Sequence, residues 1–328
     1  MSGLIGARIP RLEDRPLLLG QGRYIDDISL AGVWHAAFVR SPHPHAAIRR
    51  FDAQAALALP GVHAVLTLDD LSAVLAKRRM LRHSNSGTPL DRYWSFALAD
   101  GETSYVGETV AIVLADSRHL AEDAAAVVAV DYDVLPAVSD CRKAIEPGAP
   151  AVRRELNSNV AANYKVAYGD VEGAFRKAAH AFHEELWQHR GAAHPIEGRG
   201  ILAQWRDDAM TVWASTQKAH DLFQSLTSLL DFDESRLRVA TPDVGGGFGP
   251  KLCVYPEDIA VVAAAKLTRR SIKWIEDRRE HFTNAAQERD QYWSRSCAAL
   301  VKCSRRSSIH LTGRLTSLAA ATTAMSTG

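Results

Sequence analysis

The chain has 328 residues, 47% of them hydrophobic and 23% charged, with a formal net charge of +1. That length suits about two globular domains, and so even a charge gives no electrostatic reason to expect nucleic acid or an anionic membrane as partner. No apolar run reaches the roughly 18 residues of a transmembrane helix, and "IAVVAAA" (259–265) is a buried helix face at most. The N-terminus lacks the apolar centre of a signal peptide and carries Glu13 and Asp14 where one would sit, so a cytoplasmic protein is expected.

Residues 1–16 read as an N-terminal arm and residues 17–140 as one unit. "GVWHAAFVRS" (32–41) predicts a strand that ends in the turn "SPHPHA". "DAQAALALPGV" (52–62) predicts a short helix stopped by Pro60-Gly61, and "HAVLTL" (63–68) the strand after it. Residues 80–104, polar and rich in Gly, Ser, Asn and Arg, predict a long surface loop. "ETVAIVLA" (108–115) predicts a buried strand. Asp116 or Ser117 can cap the helix "RHLAEDAAAVVAV", and "DYDVLPAV" leaves it extended.

Residues 141–159, charged and bearing Pro and Gly, read as a linker. In the next unit, 160–293, Asp170 can cap the helix "VEGAFRKAA", and "GILAQWRDDAMTVWAST" predicts two strands about an Asp-Asp turn. "KAHDLFQSLTSLL" has Leu222, Phe223, Leu226, Leu229 and Leu230 at helical spacing. "RLRVATPDV" predicts a strand feeding a glycine run, Pro256 suits the first position of the helix "PEDIAVVAAAKLTRR", and "SIKWIEDR" predicts a strand. Alternation of strand, loop and helix makes this an α/β region. From about Ser294 acidic residues and apolar periodicity vanish. Residues 294–328 therefore read as out-of-frame sequence after a truncation, with a basic disordered tail as the alternative.

Cys141, Cys253, Cys297 and Cys303 form no CxxC pair and no spacing suited to zinc or an iron–sulfur cluster, so free thiols are expected. Three stretches carry candidate chemistry. The first, "VGGGFGPK", has four glycines between Gly245 and Gly249, interrupted by Phe248. It fails the Walker A pattern, because Pro250 precedes Lys251 and Leu252 follows it, and it fails Gly-x-Gly-x-x-Gly in both registers. What remains is a loop able to point amides at an anion or oxo group, or a tight turn with close backbone packing. In "WASTQKAH" (213–220), Gln217 ends a strand and opens a helix, with Ser215 and Thr216 as candidate caps. Gln217 either merely caps or faces solvent, or is buried and needs partners. In "HPIEGRG" (194–200), Glu197 and Arg199 form either a polar site wall or a surface ion pair. His43, His45, His189 and His194 show no ligand-like spacing and are assigned no role.

In order, "HPIEGRG", "STQ" and "TPDVGGGFGPK" resemble the molybdenum-cofactor-binding large subunit of the xanthine dehydrogenase, aldehyde oxidase and aerobic carbon monoxide dehydrogenase family. "GQGRYIDDI", "RSPHPHAAI", "LPGVHAVLT", "YVGETVAIVLA" and "VDYDVLPAV" resemble that family's α/β hammerhead domain. The likeness covers roughly residues 5–293. It implies a mixed α+β and α/β fold: a hammerhead domain, then the first part of a molybdenum-cofactor-binding domain. Gln217 then matches the glutamine beside the molybdenum. Gly246, Gly247, Phe248 and Gly249 match the loop whose amides bind the pterin, with the Phe248 ring on the substrate side.

The resemblance also implies a molybdopterin cofactor, in its cytosine dinucleotide form, holding molybdenum with no protein metal ligand. Glu197 and Arg199 are a candidate site wall, although Gly198 stands where the family commonly has proline. Iron–sulfur clusters and FAD are expected on small and medium partner subunits. Such enzymes oxidise aldehydes, carbon monoxide or N-heterocycles with water as the oxygen source. Prepositioned amides matter there, because one donor to a developing oxyanion is typically worth about 2.7–4 kcal/mol in the barrier. Family members run to more than twice this length, so the alternative is a non-catalytic truncated remnant acting at most as a partner-binding domain.

Overall fold

A computed structural model describes residues 5–80, 91–163, 166, 168–285, 290–299 and 311–318. The first half contains α1 (Asp14–Leu18), β1 (Trp34–Arg40), β2 (Ala46–Asp52), α2 (Gln54–Leu57), β3 (Val62–Leu66), α3 (Leu68–Leu71), β4 (Glu102–Thr103), β5 (Thr109–Ala115), α4 (Arg118–Val127) and β6 (Ala129–Val134). The second half begins with α5 (Val171–Lys177), β7 (His180–Gln188), β8 (Gly200–Arg206), β9 (Ala209–Ala214), α6 (Ala219–Leu230) and β10 (Leu237–Ala240). It continues with α7 (Pro256–Thr268), β11 (Ile272–Ile275), α8 (Arg278–Asn284), β12 (Gln291–Ala299) and β13 (Leu311–Leu318).

Local chemistry explains most of these boundaries. Asp207 and Asp208 both have positive φ, the two-residue turn that matches strand twist and closes the β8–β9 hairpin. Ser117 caps α4 by accepting the Leu120 N–H, and Asp170 caps α5 by accepting that of Gly173. All of β5 is buried, as a continuous apolar run requires. Residues Ile259 to Ala265 of α7 are buried on every side, and four of the seven are alanines. Side chains that small let the helix lie close to β5, β8 and β11.

The two halves are not separate layers. One seven-stranded sheet runs β10-β9-β8-β11-β1-β5-β3, so a block of four strands from the second half continues into three from the first. The junction is the parallel pairing of β1 with β11, Trp34 opposite Ile272 and His35 opposite Lys273. A single core accordingly mixes Phe38, Ile112 and Leu114 with Ile201, Val212, Ile259 and Trp274. Two smaller sheets, β4-β2-β6 and β13-β12-β7, stand beside it.

Several expectations change. Within the expected surface loop, 81–90 lie outside the described residues, but Trp94 and the run Phe96 to Ala99 are buried. Arg79 makes this happen: its guanidinium lies 4.3 Å from the Phe96 ring centre and donates to the carbonyls of Arg92 and Trp94. The expected linker packs too. Arg153 is buried, 5.3 Å from the Phe96 ring centre, and Arg154 Nε donates to Glu102 at 2.7 Å. Asn159 knots the segment by donating to the carbonyls of Ala144 and Pro150. At the far end, β12 and β13 occupy part of the stretch expected to be out of frame or disordered, and β12 pairs with both β7 and β13.

A buried ion cluster crosses the β1–β11 junction. Arg40 on β1 donates to Glu257 at 2.8 Å and to Glu280 at 2.8 and 2.9 Å. Arg199 donates to Glu276 at 2.6 Å and to Glu257 at 3.3 Å, with its guanidinium 3.7 Å from the Tyr255 ring centre. Burial works against ionisation of Glu276, but Arg199 and the His281 hydrogen bond outweigh it and hold the carboxyl down to about 2. Burial likewise opposes the Glu257 charge, and Arg199 and Arg40 keep its carboxyl below the usual range.

Removing one member should therefore leave uncompensated buried charge. Arg199→Met is expected to cost about 3–5 kcal/mol in urea unfolding at neutral pH. A cost under about 1 kcal/mol would mean that the cluster behaves as a solvated surface pair. The pH dependence has a defined sign. Glu276 has an ordinary value of 4.5 and a folded value of about 2, so its contribution is full above about pH 4.5 and is lost as pH falls through about 2. Stability curves between about pH 5 and pH 2 should fall less steeply in Glu276→Gln than in the wild type.

Candidate functional site

Three loops meet at one end of the shared sheet. The first, 194–199, enters β8 and is pinned by Arg278 Nη2, which donates to the carbonyls of Pro195 and Ile196 at 2.7 and 2.9 Å. A Cβ at Gly198 would lie 2.8 Å from the carbonyl oxygen of Glu276, so this turn packs directly against backbone. The second, 215–218, leaves β9. The third begins where β10 ends at Ala240, two residues before Pro242, which has no N–H for the ladder. Asp243 then anchors to Arg23 by a reciprocal pair of bonds at 2.7 and 3.0 Å, and the glycine run follows.

Glu197 joins all three loops. Its Oε2 accepts from Ser215 Oγ, the Gly245 N–H and Lys251 Nζ, each at 2.7 Å. Burial pulls the Lys251 ammonium below its ordinary value, against the pull of Glu197. The carbonyl of Lys251 accepts the Gln217 N–H at 2.8 Å and Thr216 Oγ1 at 3.2 Å. Ser215, a candidate helix cap by sequence, therefore serves Glu197, while Thr216 Oγ1 accepts the Lys218 N–H at 3.1 Å.

Gln217 lies across the glycine run and is exposed. Its Oε1 accepts the Gly249 N–H at 3.3 Å. That bond assigns Oε1 as the acceptor and leaves Nε2 as a donor with no acceptor among the described residues. The glycines have separate reasons. A Cβ at Gly245 would lie 2.5 Å from Glu197 Cβ, and one at Gly247 2.3 Å from Gln217 Cδ. Gly246 is covered by the Phe248 ring, and Gly249 has φ +105°. Phe248 itself has φ 52°, rare for a bulky residue, and its side chain is among the exposed apolar ones.

The backbone N–H groups of Gly246, Gly247 and Phe248 meet no acceptor among the described residues. Positive φ at Gly246, Phe248 and Gly249 gives the run a turn backbone, of the kind that forms anion-binding concavities. With Gln217 Nε2 these groups form a strip of uncommitted donors suited to oxo or anionic oxygen. The helix terminus is not part of it: α7 starts at Pro256, and Asp258 takes the Tyr255 N–H there at 2.9 Å.

Gln217, Gly246, Gly247, Phe248, Gly249 and Glu197 are thus brought together. Arg199 is not: it turns into the ion cluster with Glu257 and Glu276, and makes neither a site wall nor a surface pair with Glu197. Sequence reasoning missed Lys251 and Ser215 as members of the site. Both stood inside the quoted motifs, but no spacing rule links either to Glu197. Among the described residues no group of three or more His, Cys, Asp or Glu could hold a metal ion. Nor is any described helix long and apolar enough to cross a membrane.

Residues 19–136 match the family model of the aldehyde oxidase and xanthine dehydrogenase a/b hammerhead domain, and residues 152–301 that of the molybdopterin cofactor-binding domain. The nicotine 6-hydroxylase large subunit of Paenarthrobacter nicotinovorans is 40% identical over 291 residues, 88% of this chain and 35% of the relative. The carbon monoxide dehydrogenase large chain of Hydrogenophaga pseudoflava is 32% identical over 311 residues, 88% of this chain and 37% of the relative. Quinoline 2-oxidoreductase from Pseudomonas putida 86 superposes with a TM-score of 0.81 at 33% identity, covering 89% of this chain and 37% of that one. The chain spans little more than a third of the length of these relatives. With the two domain matches in sequence and the donor strip on the second, the chain belongs to the aldehyde oxidase and xanthine dehydrogenase family, as a hammerhead domain followed by molybdopterin cofactor-binding sequence.

Proposed function

We propose that this chain supplies the molybdenum-side loops of a molybdenum hydroxylase large subunit. The observation that carries the reading is the donor strip: three amides at Gly246, Gly247 and Phe248 without a protein acceptor, beside the Nε2 of Gln217. Such groups fit the oxygens of a molybdopterin cofactor, in the cytosine dinucleotide form, and a bulkier residue at position 247 would close the cradle. When bound, that cofactor supplies two-electron oxidation of a carbon centre with water as the oxygen source. The chain's own part is positioning. Gln217 donates from Nε2, the loop amides hold oxygen in a fixed place without reorganising, and the exposed Phe248 ring forms an apolar wall on the substrate side.

For the whole protein the reading extends to an N-heterocyclic substrate, because identity to a nicotine hydroxylase subunit exceeds that to a carbon monoxide dehydrogenase chain. Relatives named as a large chain or as a subunit of a dehydrogenase complex support partner subunits. Those partners would carry iron–sulfur clusters and FAD, in the cytoplasm.

Cofactor retention tests this. The chain is produced in a host that makes the cytosine dinucleotide cofactor, and molybdenum and pterin are measured per chain. Wild type is expected to retain both. Gly247→Ala, whose Cβ would lie 2.3 Å from Gln217 Cδ, should retain about tenfold less. Equal retention would remove the loop from the site, and none in the wild type would leave the chain a non-catalytic remnant.

A further inference from the structure

Lys251 has a fully buried side chain, and nothing in the cofactor reading uses its ammonium. The residue meets the site twice. Its Nζ donates to Glu197 Oε2 at 2.7 Å, and its carbonyl accepts the Gln217 N–H at 2.8 Å. Gln217 in turn accepts the Gly249 N–H, which closes a ring back to Lys251 through Pro250. Glu197 takes the Gly245 N–H with the same oxygen that takes the ammonium. The glycine run is thereby fixed at both ends, Gly245 and Gly249, while the three amides between them stay uncommitted.

We propose that Glu197 and Lys251 are a positioning pair, which sets Gln217 and the 245–249 run in register by tying the three loops through one shared carboxylate oxygen. A charge pair does this where apolar packing would not. An apolar side chain at 251 would fill the same space but leave the Glu197 carboxylate buried with Ser215 and Gly245 alone, and its Oε1 already has no partner among the described residues. A buried carboxylate losing its countercharge rearranges toward water, and Gly245 would move with it. The role as a cofactor aid rests on the reading above; the geometry and its test do not.

Residue-resolved amide exchange of the full chain by NMR, without cofactor, tests the pair. In Lys251→Met, exchange at Gly245, Gln217 and Gly249 should rise about tenfold or more, with Ile112 in β5 unchanged. Glu197→Gln combined with Lys251→Met removes the stranded charge but does not replace the missing bond between the loops. Exchange at Gln217 and Gly249 should therefore stay at least about fivefold above wild type, and restoration to wild-type rates would overturn the proposal. Glu197→Gln alone leaves the ammonium without its carboxylate, and should raise exchange at the same positions if the lysine variant fails to fold. Acceleration at Gly245 only would overturn the proposal, because transmission to Gln217 is its content. So would an equal rise at Ile112, which would mark general destabilisation. Cofactor retention that fails while these exchange results hold would overturn the functional reading alone.

Discussion

The carboxylate of Glu257, shared between Arg40 and Arg199, is the contact on which the arrangement turns. It sits in the first turn of α7, takes one guanidinium from β1 and another from the residue before β8, and also accepts from Asn284 on α8. A charge in that position survives burial only because two cations and an amide face it. The consequence is geometric: the start of α7 is fixed against both halves of the shared sheet. The glycine run lies just upstream of that start, so the segment that leaves it runs to a fixed point.

The division of labour between the two charged groups follows from their surroundings. Arg199 and its carboxylates lie under the sheet end, stacked on Tyr255, and hold elements together. Glu197, two residues earlier, faces the loops. In a regular strand residues two apart share a face, so the opposite courses of Glu197 and Arg199 come from the bent backbone that precedes β8. Gly198 between them fits because its Cα lies against the backbone carbonyl of Glu276, where no side chain would be accommodated.

Much of the fold was legible in the sequence. The apolar run of β5, the Asp-Asp turn, the caps at Ser117 and Asp170 and the start of α7 at Pro256 all rest on local rules. Non-local pairing was not legible. Nothing in "GVWHAAFVRS" shows that it will lie beside "SIKWIEDR", more than two hundred residues on, so the halves looked separable where they share a sheet. Charged, Gly- and Pro-bearing stretches read as exposed, yet Arg79 and Arg153 set their guanidinium groups over the Phe96 ring where those stretches pack. At the site, the resemblance picked out Gln217 and the glycine run, which the structure brings together. Local rules could not say why each glycine is there. Two of them make room for side chains, Glu197 and Gln217, that come from other loops.

The central claim is that the strip from Gly246 to Phe248, with Gln217 beside it, is where this chain meets a molybdenum cofactor. Anomalous diffraction at the molybdenum absorption edge, from crystals of the cofactor-loaded protein, tests it most directly. The account predicts a single strong metal peak beside the Gln217 side-chain amide and the Phe248 N–H. A peak elsewhere on the chain, with the loop amides facing only solvent, would contradict it.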